Sequence, residues 1–211
     1  MKKLAFLPNF RNIALKLVLP AIAATVLSFG LVPDPLPIGS AMPLPDLKMK
    51  NTVQKRISLN DVKDKNGLLV MFSCNTCPYV IKNQERTKAI AAYAKANRIG
   101  FIVINSNEGN RAKEDSPEEM KKYAAEQGYE WNYVIDEGAK LADAFGASRT
   151  PEVFLFDRSA TLVYHGAIDD SPADPENIKR EHLKIAIDEL LADQEISVKK
   201  TRSVGCGIKR S

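Results

Sequence analysis

The chain has 211 residues, 45% of them hydrophobic and 27% charged, which is enough for one well-buried core and excludes a disordered polymer. Its net charge of +4 matches the four cations Lys2, Lys3, Arg11 and Lys16, because residues 1–30 hold no Asp or Glu, and without them 26 basic residues face 26 acidic ones. A charge-balanced body has no electrostatic footprint for nucleic acid, so that partner class is set aside and the basicity is read as targeting.

The basic start runs into Leu17–Val32, 16 residues interrupted only by polar Thr25 and Ser28, in the layout of an export signal. That run is shorter than the roughly 20 residues of a spanning helix and contains Pro20. Residues 1–32 are therefore expected to be a signal peptide or, with Ala14 and Leu15, an N-terminal membrane anchor; Ser28 and Gly30 are small residues at the spacing of a cleavage site. Residues 33–37 follow as a Pro-rich extended linker, since each Pro fixes its own backbone and disfavours helix in the residue before it. One domain is expected over residues 38–198, with a tail at 199–211 that carries Cys206.

Within the domain, Leu68–Phe72, Phe101–Ile104 and Val153–Phe156 are near-continuous apolar runs, the pattern of central strands covered on both faces by helices. Thr161–Tyr164, behind the turn-like Asp157-Arg158-Ser159-Ala160, predicts a hairpin with the third strand. Pro78 to about Asn97 predicts a helix joining the first two strands in a right-handed βαβ unit. Ser116-Pro117-Glu118-Glu119 is a helix start, with Ser as cap, Pro in the first position and Glu reaching back. Gly146 is placed to close a short helix containing Leu141 and Phe145. Asp174-Pro175 predicts the start of a last helix, whose stripe of Leu183, Ala186, Ile187, Leu190 and Leu191 would lie on the sheet.

The chemistry-bearing feature is Cys74-Asn75-Thr76-Cys77-Pro78, at the junction of a buried strand and the helix after it. Reactive groups collect at the carboxyl ends of strands in open α/β sheets. The helix N-terminus there favours thiolate over thiol, so Cys74 is expected to have the lowered pKa and to act as nucleophile, with Cys77 one turn on to resolve. Zinc would need four ligands, and the remaining candidates Cys206, His165 and His182 are scattered. A copper or zinc module built from Cys74, Cys77 and His165 is the binding alternative.

Thr150-Pro151 stands immediately before the third strand. The order of Cys-x-x-Cys after the first core strand, Thr-Pro before the third, a hairpin, and Gly166-Ala167-Ile168 ahead of a final helix resembles thioredoxin. More narrowly, Phe72-Ser73-Cys74-Asn75-Thr76-Cys77-Pro78-Tyr79 and Val204-Gly205-Cys206-Gly207-Ile208-Lys209 resemble an exported, peroxiredoxin-like group of bacterial redoxins related to alkyl hydroperoxide reductases. The resemblance spans about Ile38 to Lys209. It implies an α/β, thioredoxin-like fold with a central mixed sheet flanked by helices. It also implies a cis bond at Pro151, packed on the cysteines, and substrate pairing through the backbone of Thr150.

Two departures narrow it. Thioredoxins carry a Trp before the first cysteine and a buried Asp on the preceding strand, where this chain has Ser73 and Leu68–Phe72; Glu108, Asp169 or solvent are then the candidates for deprotonating Cys77. Peroxiredoxins carry Thr or Ser three residues before the reactive cysteine and Pro seven before it. Counting back from Cys74 gives Met71 and Gly67, and from Cys77, Cys74 and Val70.

The expectation is thiol-disulfide oxidoreduction by Cys74 and Cys77 outside the cytoplasm, in the periplasm, with the N-terminal segment as the only membrane contact if it is uncleaved. The implied partners are a disulfide-bearing protein or small thiol and a redox protein that regenerates the dithiol; no organic cofactor is implied. The alternative is a thiol-dependent peroxide reductase. Cys206, flanked by glycines, is a further redox candidate, because a leftover cysteine in an exported protein points to an intermolecular partner or a third redox group.

Overall fold

The computed structural model describes Met1 and residues 34–210. The expected signal or anchor therefore lies, Met1 apart, outside the described residues. Among the described residues no helix is long and apolar enough to cross a membrane. Asp34–Pro37 lies against the domain, with the Leu36 N–H donating to the Phe145 carbonyl at 2.9 Å.

Strands β1 (Met49–Asn51) and β2 (Arg56–Ile57) pair antiparallel and lead into a one-turn helix, α1 (Leu59–Val62), capped by Ser58 and Asp61. Strand β3 (Leu68–Phe72) is buried along its whole length, as its unbroken apolar run requires. The cysteine loop follows, then α2 (Pro78–Lys82) and α3 (Gln84–Ala96). A single helix from Pro78 to about Asn97 is not what forms: the helix breaks at Asn83, with φ of −94° and ψ of 4°. The Asn83 amide explains the break, since its Nδ2 donates to the Tyr79 carbonyl at 2.7 Å and to the Pro172 carbonyl at 2.9 Å, competing with the helical ladder.

Strand β4 (Gly100–Asn105) lies parallel to β3 from Leu68↔Gly100 to Phe72↔Ile104, completing the βαβ unit. Helix α4 (Pro117–Glu126) starts at the predicted cap, Ser116 Oγ accepting from the Glu119 N–H at 3.3 Å. Strand β5 (Asn132–Ile135) is parallel to β4. Helix α5 (Lys140–Phe145) ends at Gly146, which takes the left-handed conformation with φ of 60°. A Cβ there would stand 2.0 Å from the Asp34 carbonyl oxygen, so glycine is needed for the approach of the chain as well as for the turn.

The two residues of β6 (Arg149–Thr150) precede a cis peptide bond at Thr150–Pro151, and β7 (Glu152–Phe156) and β8 (Leu162–Gly166) make the expected hairpin. Asp174-Pro175 opens only a single 3₁₀ turn, Pro175–Asn177. Helix α6 (His182–Leu191) begins after it and buries Leu183, Ala186 and Ile187. Asp174 takes the Glu176 N–H at 3.0 Å, a local turn that propagates no further. The tail ends in β9 (Cys206–Gly207), paired antiparallel with β6.

The main sheet has seven strands in the order β2-β1-β5-β4-β3-β7-β8, mixed as expected: β3, β4 and β5 are parallel and the remaining pairs antiparallel. One face packs Leu69, Met71, Val103 and Leu155 under α3, α4 and α6; the other packs Val70, Phe72, Ile102 and Phe154 under α5. Phe72, Phe145 and Phe154 meet edge to face at centroid separations of 5.1 to 5.7 Å.

Candidate active site

The end of β3 presents the cysteine loop. Ser73 continues the ladder by donating to the Ile104 carbonyl at 2.8 Å, and the backbone then leaves the sheet. Both cysteines are buried, Cys74 at 3% and Cys77 at 2% exposure, while Thr76 between them is exposed. Thr150 faces them: its hydroxyl is 3.4 Å from Cys74 Sγ and its carbonyl oxygen 3.1 Å from Cys77 Sγ. Cys74, Cys77 and Thr150 thus converge, and all three thiols, Cys74, Cys77 and Cys206, are free.

The expectation places the low-pKa thiol at Cys74, whereas the groups around the two sulfurs favour charge on Cys77. Helix α2 starts at Pro78, as expected, so Cys77 rather than Cys74 occupies the N-cap. The Cys74 thiol, then the Cys206 thiol and the N–H groups of Val80 and Cys206, the last at 3.4 Å, favour charge on Cys77. Together they outweigh burial and lower the Cys77 pKa to about 4. The Thr150 carbonyl, which accepts from the Cys77 thiol at 3.1 Å, favours the protonated form and opposes these donors. Cys74 moves the other way, pushed up by its hydrogen bond to Cys77, then by burial and by the charge of Asp115. The two thiols titrate as a pair, and the donors gathered around Cys77 favour negative charge there over Cys74.

The loop is held by a polar network that sequence reading missed. The buried carboxylate of Asp115 accepts from the Asn75 N–H at 3.0 Å, Asn105 Nδ2 at 2.7 Å and Asn107 Nδ2 at 2.9 Å. Asn75 Oδ1 in turn accepts from the Tyr133 hydroxyl at 2.9 Å. No local motif marks Asp115; Asn105-Ser106-Asn107, at the mouth of an apolar strand, is the nearest signal. The two acids considered for deprotonation are engaged elsewhere, Glu108 with Arg111 at 3.1 Å and Asp169 with Arg86 at 2.6 Å.

His165 does not join the cysteines. Its Nε2 lies 2.6 Å from Glu152 Oε1, its ring stacks on Phe154 at 4.4 Å, and Glu152 Oε2 accepts from the N–H groups of Ser148 and Arg149 at 2.7 and 2.8 Å. This buried pair supports the backbone that carries Thr150. His182 opens α6, and among the described residues no three His, Cys, Asp or Glu side chains form a metal-holding group.

The redoxin family model matches residues 38–181, which include the cysteine loop and Thr150–Pro151 and stop short of Cys206. An uncharacterized conserved protein from Geobacillus kaustophilus superposes with a TM-score of 0.76 at 36% identity, over 82% of this chain and 92% of its own. A hypothetical protein from Sinorhizobium meliloti 1021 gives 0.76 at 29% identity, over 83% and 96%. The thioredoxin domain of a thiol-disulfide oxidoreductase from Bacteroides vulgatus, at a TM-score of 0.54 and 20% identity over 65% and 94%, shares the fold. A search of curated proteins finds no match. With the family model covering most of the chain and the Geobacillus protein similar over most of both, this chain belongs to the redoxin family, on a thioredoxin-like fold.

Proposed function

We propose that the protein is a thiol-disulfide oxidoreductase that uses Cys74 and Cys77 as its redox dithiol. The observation that carries the reading is the meeting of both sulfurs with Thr150, the hydroxyl at 3.4 Å from one and the carbonyl at 3.1 Å from the other. Cys77, the ionised member, attacks one sulfur of a substrate disulfide; the leaving thiolate takes a proton, and Cys74 attacks Cys77 to release the second product and close Cys74–Cys77. A separate dithiol protein or small thiol returns the pair to the reduced state. Reduction of insulin or glutathione disulfide by the chain lacking residues 1–32 tests this: activity is lost in Cys77→Ser, and full activity in that variant overturns the reading.

The basic, apolar layout of residues 1–32 supports action outside the cytoplasm, in the periplasm, and cell fractionation of the full chain tests it. Peroxide reduction through Cys74 sulfenic acid is the less supported chemistry. Three residues before Cys74 stands Met71, buried in β3, where a peroxide-binding hydroxyl would be needed. Stopped-flow consumption of hydrogen peroxide no faster than that of a free thiol is expected.

A further inference from the structure

The tail lies across the site. Leaving α6, it first runs along β8, where the His165 N–H donates to the Lys199 carbonyl and the Thr201 N–H to the His165 carbonyl, both at 3.0 Å. It then lays β9 on β6 with Cys206 in register with Thr150, the backbone expected to receive substrate. The Cys206 N–H points at Cys77 Sγ at 3.4 Å, and the Cys206 side chain packs against the Cys74–Cys77 cluster. Beyond it, the Lys209 N–H donates to Asn107 Oδ1 at 3.0 Å, tying the tail to the same network that holds the cysteine loop. Gly205 makes the fit possible, because a Cβ there would stand 2.0 Å from the Thr150 carbonyl oxygen.

We propose that Cys206 is a third redox thiol, which forms a disulfide with Cys77 during turnover while the tail occupies the strand position that substrate uses. The inference rests on the dithiol reading and adds a second resolving route to it. With β9 lifted, a substrate disulfide R–S–S–R′ is attacked by the Cys77 thiolate; the Cys77–S–R bond forms, and R′–S⁻ leaves and is protonated. With β9 back on β6, the Cys206 thiolate attacks the Cys77 sulfur, R–S⁻ leaves and is protonated, and Cys77–Cys206 is closed. Cys74 then attacks Cys77, regenerating Cys206 and closing Cys74–Cys77. Two electrons and two protons pass from protein thiols to the substrate, and an external dithiol restores them.

The order of ionisation agrees with this sequence. Burial first, then the hydrogen bond and charge of Cys77, push the Cys206 thiol up to about 11. Once Cys77 is tied in a mixed disulfide its charge is gone, while Lys209 and Arg149, which favour the Cys206 thiolate, remain.

The experiment is peptide mapping of full-length Cys74→Ser and Cys206→Ser after oxidation with glutathione disulfide and alkylation of the remaining thiols. Cys74→Ser is expected to yield monomer with an internal Cys77–Cys206 disulfide, and Cys206→Ser to yield Cys74–Cys77. If Cys206→Ser forms its disulfide but Cys74→Ser retains an alkylated Cys206 beside glutathionylated Cys77, the third thiol is overturned and the dithiol stands. If neither closes, both readings fall. Gly205→Ala, which cannot seat β9 on Thr150, is expected to lose Cys77–Cys206 when combined with Cys74→Ser, to accelerate alkylation of Cys77, and to retain Cys74–Cys77 on its own; undiminished Cys77–Cys206 closure in the combined variant overturns the proposal.

Discussion

Along β3 the side chains enter two apolar layers, Leu69 and Met71 on one side and Leu68, Val70 and Phe72 on the other, and every one is covered by neighbours from the same sheet and its helices. Five residues past the end of that strand, Cys77 is buried just as deeply, but what surrounds it is of another kind: a thiol from its own loop, a carbonyl from β6 and an N–H from a residue 129 positions away. The core is stabilised by non-directional burial, which tolerates small shifts and scales with area. The thiol cluster depends on directed hydrogen bonds, each of which fails if its donor moves by an ångström. Stability and reactivity are therefore expected to respond to different substitutions.

The largest effect should come from the core. Phe145→Ala removes a ring that meets Phe72, Phe154 and Phe156 edge to face and should cost about 3–5 kcal/mol in denaturant unfolding. Its Cys77 alkylation rate under native conditions is expected to stay near that of the parent; a large change would break the separation of core from site.

Asp115→Ala tests the border between the two. It orphans the Asn75 N–H and the amides of Asn105 and Asn107, so a loss of about 1–3 kcal/mol is expected together with faster alkylation of Cys77, as loop and tail lose their common anchor. Asp115→Asn should recover part of both. An unchanged alkylation rate would show that the network holds the fold alone.

Gly146→Ala should cost about 1–2 kcal/mol for its left-handed backbone and displace Asp34–Pro37, with no effect on the thiols. Thermal melts and alkylation rates measured side by side check it.

The smallest change in stability and the clearest in chemistry concern pH. Because the pKa of Cys77 is lowered in the folded protein to about 4, its thiolate persists as pH falls below neutral and is lost only as pH passes down through that value. The pH dependence of iodoacetamide alkylation measures the midpoint, and Cys74→Ala, which removes the donating thiol, should shift it upward. A midpoint near that of an unperturbed thiol in the parent protein would return the nucleophile to Cys74.

The amino-acid sequence by itself determined the elements whose signal is local. Unbroken apolar runs marked β3, β4 and β7 because strands covered on both faces need no polar alternation. Ser116 and Gly146 marked helix ends because a cap acts within one turn. The cysteine spacing and Thr150-Pro151 located the site through resemblance. Strands β1, β2 and β5 were illegible, being two to four residues long; β2 pairs only with its neighbour β1, and β1 joins the sheet only through β5, far along the chain. So were the break at Asn83, made by an amide that also reaches Pro172, and the late start of α6. Only tertiary structure brings the tail's Cys206 to Cys77, where it adds to the local donors that favour charge there. It also placed Asp115 beneath Asn75 and Cys206 opposite Thr150. Hydrogen bonds between segments tens of residues apart leave no periodicity in the chain, so they can be seen only once it has folded.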